Sequence, residues 1–216
     1  MKKGFIFDLD GVITDTAKYH YLAWKYLAET IDIEIDIVFN EQLKGISRMD
    51  SLERILAHGN KSDAFTLSEK EALAHQKNTH YVELLQQLSP ADLLPGVHEF
   101  LTEAKQKQIP CGIASASKNA PFILEKLEVA DDFQIIVNPD TLKKGKPDPE
   151  IFLKAAEMLH ITPEEAVAFE DAQAGLDAIK AAGMYAVGVL SGEALHGADI
   201  LVHRLDELSI ETLLAT

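Results

Sequence analysis

Cysteine is nearly absent from this chain. Cys111 is the single thiol in 216 residues, so no intrachain disulfide can form. A reduced compartment suits such a chain, and a cytoplasmic location is expected. Positive charge is scarce as well. Against 35 acidic residues stand 20 basic ones, for a formal net charge of −15. That balance argues against a general nucleic-acid binder or a binder of anionic membranes, because each needs a basic face. Long apolar runs are missing too, and no window approaches the ~18 apolar residues of a membrane-spanning helix. The opening MKKGFIFDLDG carries a lysine pair like that of a signal peptide, but Asp8 and Asp10 cut its apolar stretch within a few residues. Internal repeats and low-complexity tracts are also absent. No heptad seam suggests assembly, and a monomer is expected.

What remains is an ordinary composition for a packed soluble protein, 47% hydrophobic and 25% charged. The length allows one large domain or two small ones. Residues 3–9 are a short apolar run ending in acid and glycine, and read as a buried strand. From about 17 to 88 the pattern is helical. Tyr19, Leu22, Ala23, Tyr26 and Leu27 recur at helical spacing. Ser47 and Asp50 open a second helix with Leu52, Ile55 and Leu56 on one face. Ser68 and Glu71 resemble a capping box before a third.

SPADLLPG (89–96) is a proline-bounded break. After it, helices at about 96–108, 119–128, 149–160 and 172–182 alternate with strands at 109–115, 133–138, 165–171 and 185–190. Thr162, Pro163 and Glu165 have the pattern of a helix start. Such alternation predicts a parallel sheet covered on both faces. The expected organisation is an α/β catalytic core, residues 1–14 and 95–216, with a helical cap domain inserted at 15–94. The crossings at Thr14–Ala17 and Ser89–Gly96 would act as hinges.

In an open parallel sheet the ligand site lies at the carboxyl ends of the strands. The first strand ends in Asp8-Leu9-Asp10-Gly11. The strand at 109–115 ends in Ser115, and that at 165–171 in Glu170-Asp171. Lys146 lies in the loop after the strand at 133–138. Taken singly, each has a plain explanation: a turn, a cap, a helix start favoured by the dipole, a charged loop. Taken together and in this order, they bring four carboxylates, a hydroxyl and an ammonium to one rim. One of the Asp8/Asp10 pair can serve as nucleophile and the other as acid/base, if their surroundings split their pKa values. Four carboxylates at one rim repel unless a cation sits among them, and oxygen-only ligands point to Mg²⁺.

Asp8-Leu9-Asp10-Gly11-Val12, Ser115, Lys146-Pro147 and Glu170-Asp171 resemble the four motifs of the haloacid dehalogenase-like superfamily. GVITDTAKYH (11–20), NEQLKGISR (40–48), SPADLLPG (89–96) and ASASKNAPFILEKL (114–127) extend the resemblance to its phosphosugar mutases, cap included. The resemblance implies a Rossmann-like parallel sheet core with an inserted helical cap. It implies interconversion of β-D-glucose 1-phosphate and D-glucose 6-phosphate through an aspartyl-phosphate enzyme and β-glucose 1,6-bisphosphate. The alternative is a Mg²⁺-dependent sugar-phosphate phosphatase of the same superfamily, with water as acceptor.

Carried over, Asp8 is nucleophile and metal ligand, and Asp10 is general acid/base and binds the metal through its carbonyl. Glu170 and Asp171 complete the metal site. Ser115, Ala116 and Lys146 hold the transferring phosphoryl group. Gly45, Arg48 and Ser51 bind the sugar or its second phosphate, with Lys77 nearby and Asn119 joining them. Thr16 and His20 govern the position of Asp10. The sequence departs from the mutase pattern at Ala172, where a hydroxyl residue is expected. It departs again at Gly145, and at His75 and Gln76, which precede the cap lysine. The acidity is concentrated at 148–216, with 13 acidic and 3 basic residues, whereas 95–147 balances at 7 and 7. A small anionic substrate is therefore compatible with the overall charge.

Overall fold

The structure is a computed structural model that describes residues 1–43, 46–192 and 194–216. In chain order its elements begin with β1 (Gly4–Phe7), α1 (Ala17–Thr30), α2 (Ile37–Glu41), α3 (Arg48–His58) and α4 (Leu67–Leu85). There follow α5 (Val97–Gln106), β2 (Cys111–Ile113), α6 (Ala120–Lys126), β3 (Ile135–Ile136) and α7 (Glu150–Met158). The chain closes with β4 (Ala166–Glu170), α8 (Gln173–Ala181), β5 (Tyr185–Val189), β6 (Ile200–Val202) and α9 (Ile210–Ala215). It divides into two units: Met1–Asp15 with Leu88–Thr216, and Thr16–Gln87.

The first unit is built on a six-stranded sheet in the order β3-β2-β1-β4-β5-β6, with every pairing parallel. β1 and β4 are buried along their whole length, as a parallel sheet covered on both faces requires. Alternation along β1 divides its side chains. Phe5 and Phe7 enter an aromatic cluster with Phe100 and Phe169, and Phe7 stacks on Phe169 with ring centroids 4.4 Å apart. Ile6 faces the opposite side and joins Phe152 of α7 and Leu176 and Ile179 of α8. This parity decides where the next residues go. Asp8 and Glu170 follow Phe7 and Phe169, so they share the face of Ile6 and Ala168, under α7 and α8.

The second unit is helical. Trp24, Leu27, Leu52, Ile55, Leu56 and Ala74 from α1, α3 and α4 form its core. Ser47 caps α3 through the amide of Asp50. The capping box of α4 is made by Thr66 and Glu69, two residues before the Ser68/Glu71 pair expected from sequence. Both pairs fit the pattern, and the earlier one wins because Leu67 and Ser68 continue helically into α4.

Other differences have physical reasons. Residues 88–94, expected in the cap, belong with the α/β unit. There Thr14 Oγ1 donates to the Asp92 carbonyl (2.7 Å) and the Leu94 amide to that of Ile13 (2.9 Å). The Thr162/Glu165 box caps a single 3-10 turn, Pro163–Glu165, rather than a longer helix. The apolar run that follows is drawn into the sheet as β4, where it is buried throughout. α2, β6 and α9 carry no signal strong enough to be expected: α2 is five residues long with Ile37 and Val38 exposed, and β6 is three.

Candidate active site

The sheet order reverses direction between β1 and β4, and a crevice opens beyond the carboxyl ends of strands at such a switch. Asp8 stands there. Its amide donates to the Phe169 carbonyl (2.9 Å), which continues the β1–β4 ladder one step and holds the carboxyl group beside β4, 7% exposed. The chain then turns sharply. The Ile13 amide returns to the Leu9 carbonyl and the Gly11 amide to that of Thr14, with Asp10 bridged to Thr14. Gly11 makes this turn at φ 78°, and a Cβ there would lie 2.0 Å from Oδ2 of Asp171. Glycine is required both for the conformation and for the approach of that carboxylate.

Lys146 connects the two strand ends. Its Nζ donates to Asp8 Oδ1 at 2.5 Å and to Glu170 Oε2 at 2.8 Å, with the side chain 5% exposed and the ammonium over the ring of Phe152. Burial by itself would lower the pKa of this ammonium. The Asp8 and Glu170 carboxylates outweigh burial and hold it above the ordinary lysine value.

Glu170 receives the amides of Asp171 and Ala172 at Oε1, both at 3.2 Å. It rests on Gly175, where a Cβ would come within 1.8 Å of Oε2. Burial, reinforced by the charges of Asp8 and Asp171 against the opposing pull of Lys146, raises its carboxyl to about 8. Asp171 Oδ2 accepts from the hydroxyl of Ser191 at 3.0 Å.

One ligand oxygen from each of Asp8, Glu170 and Asp171 lies within 4.8 Å of the others. Three crowded carboxylates, one with its charged form disfavoured, fit a divalent cation, and an all-oxygen donor set suits a hard one such as Mg²⁺. Ser115 follows β2 on the same edge, 3% exposed, and accepts the Ser117 amide at 3.1 Å. Ala116 is exposed beside it, and Asn119 heads α6.

Residues expected in the cap form a cluster of their own within the helical unit. Tyr81 donates to Thr16 Oγ1 at 3.0 Å, and its ring lies against that of His20 (centroids 4.1 Å apart). Lys77 is 2% exposed, with its Nζ 2.9 Å from His20 Nδ1 and over the rings of Trp24 and Tyr81. An ammonium only donates, so His20 Nδ1 is the acceptor and the ring proton sits on Nε2. Loss of hydration, then the charges of Lys77 and Arg48, hold the His20 pKa well below its ordinary 6.5.

Arg48 donates to Asn78 Oδ1 at 2.8 Å, next along α4 from Lys77. The Ser51 hydroxyl turns back to the Ser47 carbonyl (3.0 Å) and is buried. Gly45 lies outside the described residues.

Three residues carry no expectation from the sequence: Ser191 and Gly175 in the α/β unit and Tyr81 in the helical unit. Ser191 had a usable signal, since it stands just beyond the strand at 185–190. Tyr81 had none, because it matters through Thr16, distant in sequence, and Gly175 matters only through the room it leaves for the Glu170 carboxylate at the start of α8.

A profile described as haloacid dehalogenase-like hydrolase matches residues 2–183. The β-phosphoglucomutase of Bacillus subtilis is 54% identical over 211 residues, covering 98% of this chain and 93% of that protein. A phosphorylated carbohydrates phosphatase of Thermotoga maritima is 30% identical, over 83% of this chain and 81% of its own. The crystal structure of β-phosphoglucomutase from Clostridium difficile superposes with a TM-score of 0.95 at 46% identity, covering 100% of this chain and 96% of that one.

Proposed function

The chain belongs to the haloacid dehalogenase-like hydrolase family, and from that premise we propose that it is a phosphosugar mutase. It interconverts β-D-glucose 1-phosphate and D-glucose 6-phosphate through an aspartyl-phosphate and β-glucose 1,6-bisphosphate. The likeness to a mutase at 54% identity runs through both units, and this favours the mutase over a phosphatase. The observation that carries the chemistry is Lys146 bridging Asp8 and Glu170, with Asp171 completing the carboxylate group.

In this reading a carboxylate oxygen of Asp8 attacks phosphorus as the bond from phosphorus to the sugar oxygen breaks. Asp10 gives its proton to that leaving oxygen. In the return step Asp10 takes the proton of the attacking sugar hydroxyl while the phosphoryl group passes from Asp8 to that oxygen. Lys146 and the Ser115 hydroxyl hold the phosphoryl oxygens, with the Ala116 amide assisting. Asp8, Glu170, Asp171 and the Asp10 carbonyl would hold Mg²⁺, which supplies neutralisation of phosphoryl charge. The chain thereby splits one difficult transfer into two easier ones.

Within the helical unit, Arg48 is proposed to take phosphate oxygens bidentately, with Lys77, Ser51 and Gly45 assisting in sugar or phosphate binding. Asn119 is proposed to bind phosphate from the head of α6. Thr16 and His20 are proposed to set the position of Asp10.

A cytoplasmic monomer acting on free sugar phosphates, without nucleic acid or membrane, is the setting we propose. Its support is the single thiol, buried at 2% exposure, and the acidic balance of the chain. No helix among the described residues is long and apolar enough to cross a membrane.

The test supplies β-glucose 1-phosphate, Mg²⁺ and catalytic bisphosphate, and measures glucose 6-phosphate against free phosphate. Glucose 6-phosphate should dominate. A product that is mostly free phosphate would overturn the mutase in favour of the phosphatase.

A further inference from the structure

Asp171 is followed by Ala172, so the residue next to this carboxylate brings no polar side chain to it. A hydroxyl reaches it from elsewhere. Ser191, just after β5, donates to Oδ2 at 3.0 Å. The same oxygen lies against the bare Cα of Gly11, where a Cβ would intrude to 2.0 Å. Oδ2 is thus gripped from two sides by elements far apart in sequence, and the rotation of the carboxylate about its own axis is fixed. A ligating carboxylate held in this way presents its oxygens without first losing rotational freedom.

The segment that carries Ser191 is itself anchored to the head of α8. Gln173 Nε2 donates to the His196 carbonyl (3.0 Å), and the His196 amide donates to Gln173 Oε1 (2.9 Å). The Gln173 amide group is oriented in turn by Asp177 Oδ1 at 2.8 Å. Leu195 is buried in the cluster that includes Leu176 and Ile179. Residues 171 and 173 therefore tie to residues 191 and 196, at two points on one short stretch.

We propose that Ser191 is a positioning residue for the metal ligand Asp171, and that Gln173 holds the segment from which Ser191 acts. The proposal rests on the reading of Asp171 as a ligand of Mg²⁺.

It is tested by calorimetric titration of the metal-stripped full chain with MgCl₂, which needs no turnover. Ser191→Ala should raise the Kd for Mg²⁺ about tenfold, the lower end of what loss of such a support costs. Its unfolding temperature in chelator should match that of the parent, because Ser191 is exposed. Ser191→Thr, which keeps the hydroxyl, should restore the affinity. Gln173→Ala should shift Kd in the same direction by less.

Asp171→Asn serves as reference and should lose Mg²⁺ binding. If it does while Ser191→Ala binds as the parent does, the positioning role is overturned and the metal site stands. A raised Kd accompanied by a lowered unfolding temperature in chelator, or equal weakening by Ala and Thr, also overturns it. Absence of Mg²⁺ binding by the parent chain would overturn both readings.

Discussion

Lys146 and Lys77 are both withdrawn from water, and the two units hold them by different means. In the α/β unit the cation sits between Asp8 and Glu170, with a third carboxylate close by. In the helical unit the cation meets the faces of Trp24 and Tyr81 and the neutral nitrogen of His20. Charges paired in a low-dielectric setting interact strongly. Ring faces and an imidazole nitrogen attract a cation more weakly, and they hold it in a defined shape. Under the proposed function, the contrast fits bond-making in the first unit and recognition in the second.

Removing the charge at the centre of the first unit should have the largest effect. Asp8→Asn should lower mutase turnover on the order of 10⁴-fold or more, as loss of a nucleophile does. Retained turnover in a coupled glucose 6-phosphate assay would end the nucleophile assignment.

Next in size is a cavity in the second unit. Leu52 is fully buried there, and Leu52→Ala should destabilise that unit by about 2–5 kcal/mol. Hydrogen exchange should quicken across 16–87 and leave the sheet amides as they were. Equal quickening in both would break the division into units.

Arg48→Ala should lower mutase kcat/KM by about 10–100-fold, the loss of roughly 1.5–3 kcal/mol expected for hydrogen bonds to a charged group. Hydrolysis of small phosphomonoesters should persist at the parent rate. Equal losses in the two assays would count against a recognition role.

The smallest effect is a pH dependence in the second unit. His20 binds its proton less readily folded than unfolded, so the unfolded chain carries more protons below the ordinary histidine value of 6.5. Stability must then fall as pH drops below that value and recover as it rises. His20→Asn keeps a side-chain acceptor for Lys77 and cannot protonate. Urea unfolding between pH 7 and pH 5 should show a smaller loss in this variant than in the parent. Identical losses would show that His20 is not held neutral.

Much of the α/β unit was legible because its signals are local. The strands at 3–9, 109–115 and 165–171 are short apolar runs that end in Asp8, Ser115 and Glu170-Asp171. Helical periodicity indicated α1 and α3, and a capping pair indicated α4. The failures came where a local signal was ambiguous. Two capping pairs competed at the start of α4, and the Thr162 box was overridden by the pull of a buried strand. The boundary after 87 depended on hydrogen bonds between 13–14 and 92–94, which no spacing in the sequence expresses.

Residue type and strand ends alone name the candidate groups: a paired aspartate at the first strand, a lysine in a loop, an acidic pair at the end of the fourth. These follow from residue type and the position of strand ends, both of which are local. How those groups are held depends on the folded chain. Lys146 lies between Asp8 and Glu170, Gly175 makes room for the Glu170 carboxylate, and Ser191 reaches Asp171 from the end of β5. The Lys146 and Ser191 contacts join segments distant along the chain, and Gly175 meets Glu170 across the turn from β4 into α8. Their distances are set by strand register and helix packing, which exist only once the sheet has formed.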